Sequence, residues 1–88
     1  MRLKYDFHVS DFPGVKIAIV VGDDLGKYDG IVKMNLIAAE IFEMLKTDIS
    51  RQEIVDNLVA AKSNETLEEI ELVTDDFINK LKESDLLE

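Results

Sequence analysis

The spacing of the apolar residues changes once along this 88-residue chain, near Asn35. Before Asn35, apolar and polar residues alternate over Leu3–Ser10, and Val15–Val21 is a run rich in β-branched residues; both patterns are typical of strands. After Asn35, apolar residues recur every three or four positions, which is typical of helices. A single change of period in so short a chain predicts one α+β domain over residues 1–88, with the strands first and the helices second.

The N-terminal part predicts a three-stranded antiparallel sheet. Alternation beginning at Leu3 predicts the first strand, and Asp11–Gly14 predicts a turn because it contains Pro and Gly. The segment Val15–Val21 is apolar except for one lysine, which predicts a central strand covered on both faces. A loop rich in Gly and Asp, residues 22–30, separates it from a short third strand, Ile31–Met34, which we expect at the edge of the sheet.

The C-terminal part predicts three helices. Asn35 is a suitable cap for the first, which is apolar nearly all round and is therefore expected in the core. Ser50 with Glu53 forms the pattern of a capping box, and Thr66 with Glu69 repeats it. We expect the sheet over about residues 3–34 and helices over about residues 36–46, 51–62 and 67–83.

Composition excludes several classes of protein. The chain has no cysteine, so it has neither a disulfide scaffold, nor a thiol nucleophile, nor a cysteine-based metal site. Its net charge of −9 argues against a nucleic-acid partner. No apolar stretch approaches the ~18 residues of a membrane span, and the N-terminus is typical of a strand rather than a signal peptide. We therefore expect a cytoplasmic protein with no membrane association.

The residues needed for catalysis are not combined in any known pattern. His8 is the only histidine, and it lies on the polar face of the first predicted strand, which favours a solvated side chain over a catalytic base. Asp23, Asp24 and Asp29 do not have the spacing of a calcium loop, and there is no phosphate-binding loop. We predict no catalytic residue, no metal site and no cofactor, and hence a protein that is not an enzyme.

Recognition of a peptide is the function that the predicted sheet favours. An exposed edge such as Ile31–Met34 can accept an extended peptide as a further strand. The alternative is that the helices or a dimer partner cover this edge. The residue pattern leaves both interpretations open.

Three sequence patterns in the helical part carry a family resemblance. They are Asn35, Ala38, Ile41, Phe42 and Leu45; then Ser50, Glu53, Ile54, Val55 and Leu58; then Phe77, Ile78 and Leu81 followed by Leu86 and Leu87. In this order and spacing, residues 15–88 resemble the PqqD-like family. These small domains are also described as recognition elements for ribosomally made, post-translationally modified peptides.

The resemblance implies a winged-helix-like fold of three strands packed on three helices, without enzymatic activity. It also implies binding of the leader segment of a precursor peptide, as a strand beside the third strand and against the third helix. The bound precursor would be presented to a modifying enzyme, often a radical-SAM protein. The peptide-binding residues carried over are Ile31, Val32, Lys33, Met34, Val73, Asp76 and Lys80. The opposite flank of the third helix, Thr74 and Ile78, remains open as an alternative. Proline at Val32 is then expected to abolish peptide binding, because proline cannot donate to an added strand.

The chain departs from the family pattern at two places. The family often has an acidic and an aliphatic residue where this chain has Val73 and Thr74, within the expected groove. It also often has Gly before the final two leucines, where this chain has Asp85. The second departure affects only a helix terminus, since aspartate can also tolerate unusual turn geometry.

The distribution of charge bears on the partner. Residues 1–34 are neutral, whereas residues 35–88 contain five basic and fourteen acidic side chains. We expect basic residues in a bound peptide to favour binding to so acidic a helical layer. The alternatives are a winged-helix DNA-binding regulator, which acids on the third helix disfavour, and a structural subunit that self-associates, for instance as a homodimer.

Overall fold

The computed structural model describes residues 1–28, 30–62 and 64–88, and these contain three strands followed by three helices. They are β1 (Phe7–Phe12), β2 (Val15–Val20), β3 (Val32–Met34), α1 (Leu36–Met44), α2 (Arg51–Ala61) and α3 (Leu67–Glu83). The predicted α+β order is confirmed, and the helices differ from their predicted bounds by two residues at most. Within the described ranges, no helix is both long enough and apolar enough to cross a membrane. Asp29, one of the aspartates compared with a calcium loop, lies outside the described residues.

The sheet is antiparallel with the strand order β1-β2-β3. Pro13 and Gly14 close the hairpin between β1 and β2, and Gly14 has a φ of 73°, which a side chain would disfavour. In the part of the chain that the structure describes, β3 pairs only with β2, in a register that places Lys33 opposite Ile17. The short third strand therefore lies at the edge of the sheet, as predicted.

The predicted bounds of all three strands differ from the structure. β1 continues through Phe12, which was predicted in the turn, and β2 ends at Val20 rather than Val21. β1 begins at Phe7 rather than Leu3, and β3 begins at Val32, which leaves Ile31 before it. Leu3 instead forms an isolated bridge with Leu87, at the other end of the chain. Leu3 therefore does pair as a strand residue would, but its partner is not the neighbouring strand.

The prediction that β2 is covered on both faces is also wrong. Ala18 and Val20 are buried on the face that carries the helices, whereas Ile19 on the other face is 43% exposed. The helices α1 and α3 and the buried face of the sheet share a single apolar cluster, so the outer face of the sheet has no layer above it among the described residues.

Helix α1 forms the centre of the core, as its apolar sequence predicts. Ile41, Phe42 and Leu45 have no exposed surface. The centroid of the Phe42 ring lies 5.1 Å from the ring centroid of Phe7 in β1 and 6.4 Å from the ring centroid of Phe77 in α3. These contacts hold α3 at a fixed position relative to the sheet.

The predicted helix caps are present. The Asn35 side chain accepts a hydrogen bond from the Ala38 N–H at 2.8 Å. Ser50 and Glu53 form both bonds of the capping box. At α3, the Thr66 hydroxyl accepts from the Glu69 N–H at 3.1 Å, and this bond caps the helix without the reciprocal one.

The C-terminus of α3 turns the last residues back onto the core. The Leu86 N–H donates to the Leu81 carbonyl and the Asp85 N–H donates to the Lys82 carbonyl, each at 3.0 Å, which is the pattern of a Schellman motif. Asp85 has a φ of 57°, so it adopts the left-handed conformation expected for the residue that replaces glycine here. Leu86 is 1% exposed as a result of this turn.

Arg51 joins the start of α2 to α3. Its guanidinium donates to both carboxylate oxygens of Asp75, at 2.8 and 2.9 Å, and to Glu71 at 3.0 Å. The hydrogen bond from Arg51 lowers the pKa of the Asp75 carboxyl below its ordinary value.

We predict that Arg51→Gln makes the free energy of unfolding less sensitive to a fall in pH. Because the pKa of Asp75 is lower in the folded state, its stabilising contribution is present above the ordinary carboxyl pKa near 3.8 and is lost as pH falls through the lowered value. The free energy of unfolding, measured with urea, should fall more between neutral pH and about pH 3 for the wild type than for Arg51→Gln. The matched variant Arg51→Lys keeps the charge and should fall between them. Equal losses in all three proteins would contradict this assignment.

Thr74 is a polar residue in the apolar core. It is fully buried, and its hydroxyl has no hydrogen-bond partner among the described residues. We predict that Thr74→Val raises the free energy of unfolding by about 1 kcal/mol, because it removes an unsatisfied hydroxyl at nearly constant volume. Thr74→Ser, which keeps the hydroxyl and loses a methyl group, should lower it. Destabilisation by valine, measured by urea unfolding, would show that the hydroxyl has a partner.

Candidate functional site

A groove of about 300 Å³ lies between the edge strand β3 and helix α3. Its lining residues come from the loop before β3, from β3 and the start of α1, and from α3 and the turn that follows it. They are Tyr28, Ile31, Val32, Lys33, Met34, Asn35, Ala38, Val73, Asp76, Phe77, Lys80, Leu81, Ser84 and Leu86. Five of these, Met34, Ala38, Phe77, Leu81 and Leu86, are buried apolar residues, so the groove has an apolar floor.

The structure brings all of the predicted peptide-binding residues to this groove. The four residues Ile31–Met34 line one wall, and Val73, Asp76 and Lys80 line the other. The residues of the alternative flank, Thr74 and Ile78, do not line this groove and are buried elsewhere. The geometry thus distinguishes two flanks that helical periodicity leaves equivalent. Contact with a peptide remains a prediction for each of these residues.

Sequence reasoning missed other lining residues, notably Tyr28, Ala38 and Leu86. Tyr28 comes from a loop and Leu86 from the turn after α3, so neither belongs to a periodic pattern. Ala38 was recognised as part of the family pattern, and its small side chain in a helix of large apolar residues is a signal for an open space beside the helix.

The backbone groups of β3 that face outward follow from the hydrogen-bond pattern of the sheet. The Val21 N–H donates to the Asp6 carbonyl at 3.0 Å, so at this position β2 is bonded to β1. Backbone groups alternate in direction along a strand, and the register of the sheet has no interruption. Ala18 and Lys16 therefore bond to β3, where they pair with Val32 and Met34.

Lys33 is the residue of β3 whose N–H and C=O point away from β2 and out of the sheet. This corrects the expectation for proline at Val32, since the Val32 N–H is directed at β2 rather than at an added strand. Proline there would disturb the sheet itself. The outward donor at the edge is the N–H of Lys33.

Comparison with known proteins gives a family for this chain. The family described as Coenzyme PQQ synthesis protein D (PqqD) matches residues 20–87. The chain belongs to the PqqD family. No match was found among the curated proteins.

The fold of this PqqD-family chain also occurs in a solved structure described as TbiB1 in complex with the TbiA(beta) leader peptide. The two chains superpose with a TM-score of 0.73 at 18% identity, and the match covers 100% of this chain and 95% of the other. The likeness confirms the arrangement of three strands and three helices.

The charges of this PqqD-family chain are not concentrated in the groove. Asp76 and Lys80 form an ion pair at 3.2 Å, so they offset each other. The acids Glu71 and Asp75 lie on a different flank of α3, where both bind Arg51. The groove itself therefore gives no electrostatic reason to prefer a basic peptide, although the helical half of the sequence is acidic.

The surface of α3 also bears on the DNA-binding alternative. Glu68, Glu69 and Asp76 are all exposed on this helix, where they would repel a phosphate backbone. A helix that recognises DNA carries basic residues instead. The structure and the family give no sign of DNA binding.

Proposed function

We propose that this PqqD-family chain is a non-catalytic adaptor that binds the leader segment of a ribosomal precursor peptide and presents it to a modifying enzyme. Its main support is the combination of an outward-facing edge at Lys33 with the apolar groove between β3 and α3. Family membership and the likeness to a leader-peptide complex agree with this function. The proposed peptide-binding residues are Ile31, Val32, Lys33, Met34, Val73, Asp76 and Lys80.

The peptide adds to the sheet as a fourth strand beside β3. Its backbone pairs with the N–H and C=O of Lys33, and alternate side chains point into the groove toward Val73 and Phe77. Each backbone hydrogen bond contributes a net of about 0.5–1.5 kcal/mol. Burial of one large apolar side chain contributes about 1.5–3 kcal/mol. With an edge strand of three residues, the groove supplies most of the affinity and the backbone pairing fixes the register.

The adaptor takes no part in the chemistry of modification. His8, the only histidine of the sequence, is exposed on β1 and does not line the groove. A precursor held by its leader leaves its remaining residues free for the partner enzyme, for which we propose a radical-SAM protein. The proposed place of action is the cytoplasm, where a precursor peptide is made.

The direct test is binding of candidate leaders. Synthetic peptides covering the N-terminal halves of short reading frames beside the gene are titrated into the protein by calorimetry. Micromolar or tighter binding by one of them supports the proposal. The absence of binding by every such peptide, with the protein folded and monomeric by sedimentation, contradicts it.

We predict that Lys33→Pro abolishes binding of a peptide that the wild type binds. Proline removes the outward N–H of the edge, while the bonds from Val32 and Met34 to β2 remain. Lys33→Ala is the matched control, because it removes the same side chain and keeps the N–H. Its affinity should stay within about threefold of the wild type. Equal affinities for Lys33→Pro and the wild type would contradict strand addition at β3.

Val73 tests the groove independently of the edge. It is half-buried in the wall that α3 supplies, whereas its neighbour Leu72 is 71% exposed and does not line the groove. We predict that Val73→Asp weakens peptide binding by more than about tenfold, because it places a charge where apolar side chains are buried. Leu72→Asp, which places the same charge on the same helix outside the groove, should bind nearly as the wild type does. Similar losses in both variants, measured by calorimetry on proteins with matching circular dichroism, would exclude this wall as the contact.

A further inference from the structure

Tyr28 stands at one end of the groove. It belongs to the loop between β2 and β3, and it lines the groove beyond the start of β3 together with Ile31. Its ring is half-buried and packs against the apolar core. A strand added to β3 and extending past Val32 therefore runs toward this ring.

Gly30 provides the surface on which the Tyr28 ring lies. A Cβ atom at Gly30 would be 2.7 Å from the Tyr28 hydroxyl oxygen and 2.8 Å from the ring carbon that bears it. Both distances are shorter than any ordinary contact of a side chain. The position of the ring thus depends on the missing side chain of Gly30.

The other glycines of the same loop have a different role. Gly22 and Gly26 have φ values of 67° and 89°, and a Cβ there would have nothing within 4 Å. Their backbone conformation favours glycine over a residue with a side chain. At Gly30, the Tyr28 ring is what a side chain would meet.

We propose that Tyr28, seated on Gly30, is a specificity-determining residue of the groove and contacts a large apolar or aromatic side chain of the bound peptide. This inference rests on the proposed function. Tyr28 and Phe77 are the two aromatic residues that line the groove, and the buried ring of Phe77 lies in its floor. Aromatic walls favour flat or branched apolar side chains, which gain contact area and edge-to-face or stacked packing.

Gly30→Ala is a precise probe of this inference, because it changes the position of the ring without changing the residues of the groove. The new methyl group meets the far end of a flexible side chain, which can rotate away. The fold should therefore persist while the ring moves. Tyr5 is the only other tyrosine, so the ring signals of Tyr28 can be assigned by NMR with a Tyr5→Phe variant, and Gly30→Ala should shift them.

The experiment selects peptides from a displayed library of random sequences, using the wild-type protein as bait. The selected peptides are then measured by calorimetry against the wild type, Gly30→Ala, Tyr28→Ala and the double variant. We expect the wild type to select peptides that share one large apolar or aromatic position. Gly30→Ala and Tyr28→Ala should each lower the affinity for these peptides by about fivefold to tenfold. The double variant should bind these peptides no more weakly than Tyr28→Ala does, because Gly30 affects binding only by positioning the Tyr28 ring.

The outcomes separate this inference from the proposed function. If no library peptide binds the wild type, the proposed function is wrong and the inference falls with it. If peptides bind the wild type and bind Gly30→Ala and Tyr28→Ala equally well, the function stands and the role of Tyr28 is overturned. Additive losses in the double variant would overturn the claim that Gly30 acts by positioning the ring. Tyr28→Leu keeps an apolar side chain against the core but removes the aromatic ring. It therefore distinguishes loss of the contact with the peptide from loss of the fold.

Discussion

The ring of Phe42 is the contact on which the position of the groove depends. It is fully buried in α1 and contacts Phe7 of the sheet on one side and Phe77 of α3 on the other. Because Phe77 also forms part of the groove floor, the same cluster that holds the helices against the sheet sets the width of the groove. The walls of the groove therefore belong to elements fixed by the core.

An open sheet edge can pair with the edge of another chain, and two features of β3 limit such pairing. The edge strand β3 has only three residues, and its outward-facing residue is a lysine. Short edge strands and lysine are common protections against unwanted strand pairing. A strand that forms only backbone hydrogen bonds with so short an edge gains little binding free energy. A ligand that also places side chains in the groove gains more, so both features leave the edge open to it. Specificity and protection from aggregation thus have the same physical origin.

Features determined by neighbouring residues were predictable from the sequence. The caps at Asn35, Ser50 and Thr66 fix where the helices begin, and each involves residues three positions apart. The bounds of β1 were not predictable, because Leu3 pairs with Leu87 from the far end of the chain. Local alternation carries no information on such a partner.

The candidate site shows the same division. The position of Ile31–Met34 along one wall of the groove could be predicted, because a short final strand is expected at the sheet edge. The flank of α3 could not be chosen by periodicity, and only the structure shows that Thr74 and Ile78 do not line the groove. The outward direction of Lys33 rather than Val32 could not be predicted, since it depends on which pairs of β1 and β2 exchange hydrogen bonds. Tyr28 was missed because a loop has no period, and only the close approach of its ring to Gly30 reveals the relation between them.

Amide hydrogen exchange at β3 tests the central claim most directly. In the free protein, the Val32 and Met34 amides should exchange slowly because they bond to β2, and the Lys33 amide should exchange fast. Saturation with a bound leader peptide should slow the Lys33 amide by a large factor and change the other two little. A Lys33 amide that is protected without peptide, or that remains fast in the complex, would contradict strand addition at this edge.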